Sequence, residues 1–381
     1  MSMLPVTLAD VHVGVALKWP IFDNQKRLLF RKGAVIRSEK QLEMLLKFGL
    51  QRNEQEDENA VNARESSVAN PFDRINEAIA RLPRIARPLF ATDPDANTAE
   101  DIAQFTTRIN GLCDELIDIC QHDADAAIGD AHLNHSAPFS QSHPIHTALL
   151  SLLIAIHMDI PLERVRSLVC AALTANITIT PLMETMHKQQ GGLSEGQQTS
   201  LMQHPKGARD LLEKSGVKDP LWLDIVYQHH ECLDGQGYPR KLKDADVLRE
   251  AQILSLADDY YNLVFERSEC VAPSPHEVIK ALFVKCKDTP VAAYVHAMIK
   301  EFGIYPPGTV VALANNEVAI VVWRSADNTK PIVKAIISDQ GAPFMKPRER
   351  DTHSTANAIR EIYHARTQFH LNMLGLWGYE R

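Results

Sequence analysis

The 381-residue sequence lacks most of the features that sort a chain into a class at a glance. Its six cysteines, Cys113, Cys120, Cys170, Cys232, Cys270 and Cys286, form no CxxC pair, and no secretory leader is expected ahead of them. That pattern is expected of reduced thiols in a cytosol and excludes a disulfide framework. Positive charge is not in excess either: 48 Asp and Glu against 40 Lys and Arg give a formal net charge of -8. This balance argues against general affinity for nucleic acid or an anionic membrane, while a local basic pocket for a phosphate ligand remains allowed. The most apolar run, Thr147 to Ile156, is too short to span a bilayer. There is no internal repeat, low-complexity tract or coiled-coil heptad. What remains is the composition of a soluble, cytoplasmic globular protein with room for two or three domains.

What is present is mostly helical periodicity. Apolar positions recur at helical spacing in Ile75–Leu82, Ile102–Ile119, Thr147–Ile156, Val165–Leu173, Leu201–Leu212, Leu221–Val226, Ile253–Phe265 and Val278–Val284, which predicts an all-α bundle over residues 71–305. Ahead of it, residues 1–50 read as a small β-rich α+β module. Val11, Val13, Val15 and Leu17 alternate like a half-buried strand, and Arg27–Phe30 like a second. Asp23-Asn24 and Lys32-Gly33 supply turns, and Ser38 to Gln41 a capping box for a helix ending near Gly49. Residues 51–70, nearly free of large apolar side chains, read as a linker. In residues 306–381, Val310–Leu313 and Glu317–Trp323 flank an Asn315-Asn316 turn as a hairpin, Ile332–Ile337 reads as a third strand, and Ser354–Leu374 as a closing helix.

The stretch richest in chemistry is His229-His230-Glu231-Cys232-Leu233-Asp234-Gly235-Gln236-Gly237-Tyr238-Pro239. Leu221, Ile225 and His229 fall on one helical stripe and Trp222, Val226 and His230 on the next, so both imidazoles extend an apolar face. Four ring nitrogens at the inner end of a helix need partners, and a metal ion satisfies several at once. A helix end with two half-buried histidines and a turn is the plain alternative. The two glycines permit positive φ, and the proline fixes the loop's exit.

Three more positions have the right chemistry. His143 lies just before Pro144, expected at the first position of a helix over Ile145–Met158. His204 precedes Pro205, expected at a break between two helices, the first capped by Ser194 with Gln197. Asp258 shares a stripe with Leu254, Tyr261 and Phe265, where an unpaired carboxylate would cost several kcal/mol. Each has an ordinary structural role available when taken alone.

In the order His143, His204, His229-His230, Asp258, the chain resembles the HD-GYP family, HD-type metal phosphohydrolases that cleave cyclic di-GMP. The likeness covers roughly residues 138–307. It includes Gly192-Leu193-Ser194 before His204-Pro205, the HHE and DGxGYP signature, the Ala257-Asp258 helix, and the Gly303 to Gly308 segment. It implies an HD-type helical bundle, divalent metal (iron or manganese) at His143, His204, His229, His230 and Asp258, cyclic di-GMP as ligand, and a partner loop at Asp234, Gly235, Gly237, Tyr238 and Pro239. In the family that loop is associated with GGDEF-type diguanylate cyclases.

The departures carry as much weight. Laid on the family's His-Asp-Ile-Gly-Lys-like run, this chain has Ala175 and Asn176 at the His-Asp pair and Ile179 at the lysine. Phe139 stands where some members have glutamate, and Tyr261-Asn262 replace Asp-Ala. A two-metal hydrolase needs a shared carboxylate to compensate two cations, and a neutral amide does not supply one. The reading is therefore a degenerate member that binds or regulates in cyclic di-GMP signalling, with hydrolysis lost or much reduced. The alternatives are a mononuclear phosphodiesterase yielding pGpG or GMP, and a purely structural relic without metal. The N-terminal module is compatible with sensing or homodimer formation; Trp19 and Phe22 are expected in its core. Arg240, Lys241 and Lys243 read as a solvated basic patch, and Tyr261 of the Tyr260-Tyr261 pair as packing.

Overall fold

Helical periodicity in the middle of the chain and strand pairing at its ends separate physically. The computed structural model describes residues 4–7, 10–13, 15, 17–19, 21–22, 28–30, 36, 39, 42–43, 46, 51–52, 70–92, 96–189, 191–265, 273–364, 369 and 371–379. These pack as two compact units: one comprises Ile75–Ile117 and Ala131–Glu301, the other Met1–Arg74, Asp118–Asp130 and Phe302–Arg381.

The helices are α1 (Pro71–Ala86), followed by a 3-10 turn (Arg87–Phe90), α2 (Ala96–Leu133), α3 (Phe139–His157), α4 (Leu162–Thr174), α5 (Thr180–Lys188), α6 (Glu195–Lys214), α7 (Pro220–Gln228), α8 (Arg249–Val264), α9 (Pro275–Cys286) and α10 (Ala292–Phe302). Each helix expected from periodicity within residues 71–305 is present, with shifted ends. α2 is broken at Asp123, whose backbone is non-helical and whose Oδ1 accepts from the Ala126 N–H at 2.9 Å, capping the second half. In the helical unit α3 is buried almost all round, as a central helix must be, and packs against α4, α5 and α8. α7 packs against α4 and α6. Trp222 Nε1 donates to Thr174 Oγ1 at 2.8 Å, tying α7 to α4, and Arg164 forks onto the buried Glu250 carboxylate at 2.7 and 3.0 Å, tying α4 to α8.

Two helix boundaries differ from expectation. α3 opens at Phe139, not at Pro144, because Phe139 is itself buried in an aromatic cluster that holds an extra turn in place. α6 runs unbroken through His204-Pro205, with His204, Pro205, Ala208 and Leu212 buried along one face. The Ser194–Gln197 capping box forms as read.

In the other unit, β1 (Leu4–Pro5), β2 (Ile21–Phe22), β3 (Leu28–Phe30) and β4 (Gln51–Arg52) form an antiparallel sheet in the order β1-β4-β2-β3. The strand expected over Val11 to Leu17 is absent from the residues described there: Val11 and Leu17 are buried but Val15 is 51% exposed, so the alternation serves turns and not a sheet face. Of the expected linker over residues 51–70, Gln51–Arg52 form β4, and residues 53–69 lie outside the described residues. The turns at Asp23-Asn24 and Lys32-Gly33, and most of the capping box at Ser38, lie outside the described residues. Phe22 is core, and Arg52 lies over the Trp19 ring at 4.3 Å.

The second sheet, β5 (Val310–Leu313), β6 (Val318–Trp323), β7 (Ile332–Ile337), β8 (Pro343–Asp351) and β9 (Ile359–Ile362), is antiparallel in the order β8-β7-β6-β5-β9. The hairpin and third strand are as read, with Asn316 in the left-handed region at φ 67°. β8 went unread because its residues are largely exposed and charged, as suits an edge strand. The closing helix is corrected: Thr355–Asn357 is a 3-10 turn, Ile359–Ile362 pairs with β5, and among the described residues after it only α11 (Met373–Trp377) is α-helical. An open edge on β5 decided that segment, a contact distant in sequence.

In this unit Gly129 of α2 lies against the buried Trp377; a Cβ there would sit 2.3 Å from the indole. Gly129→Ala is expected to destabilise this unit by about 1–3 kcal/mol through overpacking. Gly111→Ala, whose Cβ meets nothing within 4 Å, should instead be neutral or stabilise by up to about 1 kcal/mol. Urea unfolding of both variants checks the opposite signs.

Candidate metal centre

An internal proline frees the carbonyl four residues before it. Pro205 has no N–H for the Leu201 carbonyl, and His204 Nδ1 lies 2.6 Å from that oxygen. At the end of α7 the last carbonyls also lack helical partners, and His229 Nδ1 lies 2.7 Å from the Val226 oxygen. A carbonyl only accepts, so both Nδ1 atoms carry the hydrogen and both Nε2 atoms present lone pairs. Those two Nε2 atoms lie 3.1 Å apart. Two facing lone pairs with nothing between them would cost on the order of 1–3 kcal/mol each. His230 completes the group: the ligand atoms of His204, His229 and His230 all lie within 4.8 Å of one another.

Either a proton or a cation must lie between the two nitrogens. Burial pushes His204 below the ordinary histidine range, and pushes His229 well below it with help from His230 and His204. His230 is driven down to about 3 by burial, then by His204 and His143. The rings are therefore neutral near pH 7, and a cation is the better partner. A 3.1 Å nitrogen separation also suits two ligands on one ion with bonds of about 2.1 Å.

His143 and Asp258 form a pair of their own. His143 Nε2 lies 3.0 Å from Asp258 Oδ1, out of line for a hydrogen bond, and its Nδ1 is buried without a partner. Burial by itself would raise the Asp258 carboxyl, but His143, His229 and His204 hold it below its usual value. Asn262 donates to its other oxygen at 2.9 Å. Burial, then Asp258, raises the Asp259 carboxyl to about 6. Around His143 the walls are aromatic: Phe139 is edge-on at 5.1 Å, stacks on His187 at 4.6 Å, and meets Phe265 at 5.1 Å. Tyr261 is packed there too, and its hydroxyl bonds His146 Nδ1 at 2.7 Å and Ser142 Oγ at 3.2 Å.

The turn after α4 offers little to a cation. Ala175 is buried at the helix end, Asn176 and Ile179 are buried beyond it, and the Asn176 carbonyl is taken by the Ile179 N–H at 3.0 Å. Thr178 Oγ1 lies 3.5 Å from the His204 carbonyl.

The Asp234 to Pro239 loop is built around Glu231, a residue that sequence reading quoted without a role. Its buried carboxylate accepts from the Arg240 N–H at 2.5 Å and the Leu242 N–H at 2.9 Å, so it braces the loop and does not point at the histidines. Gly235 takes φ +75°, but Gly237 is required for space: a Cβ would lie 2.3 Å from the Cys232 nitrogen. The Tyr238 N–H donates to the His230 carbonyl at 3.1 Å, and its ring stacks on His230 at 4.8 Å. Burial, then Asp258 and Asp259, raises the Tyr238 hydroxyl, which stays protonated.

Residues 130–282 match the family model described as HD domain. Over 235 residues the chain is 24% identical to a cyclic di-GMP phosphodiesterase of Pseudomonas aeruginosa, covering 61% of this chain and 56% of that one. A 62-residue match at 39% identity links it to a probable cyclic di-GMP phosphodiesterase of Vibrio cholerae, covering 16% and 14% of the two chains. The chain thus spans little more than half the length of the first of these relatives. A solved HDG"Y"P protein from Bdellovibrio bacteriovorus aligns over 78% of this chain and 99% of its own, at 13% identity and a TM-score of 0.41. No described helix is long and apolar enough to cross a membrane.

The depressed histidines set the acid response. Between about 6.5 and the lower folded-state values, the unfolded chain binds more protons than the folded one, so unfolding free energy falls as pH falls. Asp258, also depressed, adds a loss in the same direction at lower pH. Metal-free protein should melt at a lower temperature at pH 5 than at pH 7, and His230→Gln should flatten that difference.

Proposed function

From a chain whose residues 130–282 are an HD domain homologous to those of cyclic di-GMP phosphodiesterases, we propose a component of cyclic di-GMP signalling that binds one divalent metal and the dinucleotide while hydrolysis is lost or much reduced. The observation that carries this reading is the 3.1 Å approach of two Nε2 lone pairs on His204 and His229, with His230 in reach. Those three side chains would hold iron or manganese. A metal ion bound there would polarise a phosphate oxygen.

The surrounding residues favour binding over turnover. His143 and Asp258 face each other at 3.0 Å, and Ala175, Asn176 and Ile179 bring no carboxylate, imidazole or ammonium group. Phe139 puts an apolar ring where a carboxylate would charge the pocket, leaving His143 Nδ1 buried and unpartnered. Tyr238 fixes the His230 ring by stacking, which keeps the trio aimed at one point. The Glu231-braced loop from Asp234 to Pro239 is rigid enough to serve as a recognition surface, and a GGDEF-type diguanylate cyclase is the partner we assign to it.

A second reading, a mononuclear phosphodiesterase, is favoured by the same trio, since one ion suffices to activate a phosphate weakly. Metal content by mass spectrometry and cyclic di-GMP binding and turnover, measured on protein purified with manganese and iron, separate the two. The first reading expects about one ion per chain, lost in His229→Ala, with saturable dinucleotide binding and turnover several orders of magnitude below that of Phe139→Glu/Ala175→His/Asn176→Asp/Ile179→Lys. Wild-type turnover equal to that of the fourfold variant and abolished in His230→Ala would establish the second. Metal near zero would reject both.

A further inference from the structure

Apart from the histidines, a cleft of about 330 Å³ opens in the helical unit, a size typical of small-molecule sites. One wall is the end of α1 and the 3-10 turn, another the first turns of α3, and the third the turn after α4. Its body is apolar, with Leu82, Phe90, Pro144, Leu173 and Ile177 facing the space. Arg87 is the single charged residue lining it among the described residues, and it has no hydrogen bond or ion pair to any of them. Gln141, also in the lining, leaves its amide equally free.

The charge and the shape together select a ligand. An apolar cleft filled with water is relieved by an apolar body of matching size. A lone guanidinium at the rim matches one carboxylate, which it can grip with two parallel hydrogen bonds. Two phosphates, as in a cyclic dinucleotide, would leave one charge against apolar walls, and a neutral lipid would leave Arg87 unanswered. We propose that this cleft binds a medium-chain acyl carboxylate, with its chain between α1 and α3 and its head group on Arg87 and Gln141. Asn176 lines the cleft but is not one of the three histidines that would hold a metal, so the acyl carboxylate reading does not rest on metal binding.

Calorimetric titration of the full chain with decanoate tests it. One decanoate per chain is expected, at least tenfold weaker in Arg87→Glu, and undetectable in Ala86→Trp, which places a large ring in the cleft. Both sites are at least partly exposed, and circular dichroism checks that each variant remains folded. 1-Decanol, with the same chain and no charge, should bind at least tenfold more weakly than decanoate. His229→Ala should bind decanoate as the wild type does. The proposal is overturned by the absence of saturable uptake, by equal affinity in the wild type and both cleft variants, or by decanol binding as tightly as decanoate.

Discussion

Two backbone carbonyls freed from helical hydrogen bonding control the chemistry of this protein. Leu201 loses its partner to Pro205, and Val226 to the end of α7. Each takes an Nδ1 hydrogen, and so each turns an Nε2 lone pair inward. The imidazoles are thereby committed as acceptors before any ligand arrives. Burial keeps them neutral at physiological pH, which preserves the lone pairs and makes the site dependent on a cation. A proline inside a helix ordinarily costs about 3 kcal/mol. Here the carbonyl it exposes is given a new donor, so the loss of one backbone bond becomes the orientation of one ligand.

The loop after the histidines extends the same logic outward. Glu231 lies next to two rings that could hold a metal, yet both its oxygens are occupied by backbone N–H groups of Arg240 and Leu242. That brace brings Tyr238 over His230 and forces glycine at 237, where no side chain fits. Loop and metal centre are thus one mechanical object, and a partner touching Tyr238 would touch the ring that completes the trio. Around His143 the neighbouring walls are aromatic, with Phe139, Tyr261 and Phe265 packed on one another.

Much of this could be read along the chain. Stripes of apolar residues located the helices, the Ser194 capping box placed the start of α6, and the Asn315-Asn316 hairpin emerged with its turn. The failures were tertiary in origin. Val11 to Leu17 alternate like a strand, but the described residues among them pair with none of the described strands, and Ile359–Ile362 pair with the open edge of β5 where a helix was expected. His204-Pro205 looked like a break because proline disfavours helix; a buried face running to Leu212 held the helix together. Glu231 was visible but uninterpretable, since its role depends on two N–H groups that only the folded loop brings to it.

By itself the sequence determined which residues can act as ligands and that a mainly helical domain carries them; residue chemistry and periodicity are local properties. Tertiary structure alone decided which of the five candidates meet. His204, His229 and His230 converge, while His143 and Asp258 turn to each other. The reason is that ring orientation depends on hydrogen-bond partners from other turns and other helices, and neither a tautomer nor a 3.1 Å nitrogen contact has any signature in the order of residues.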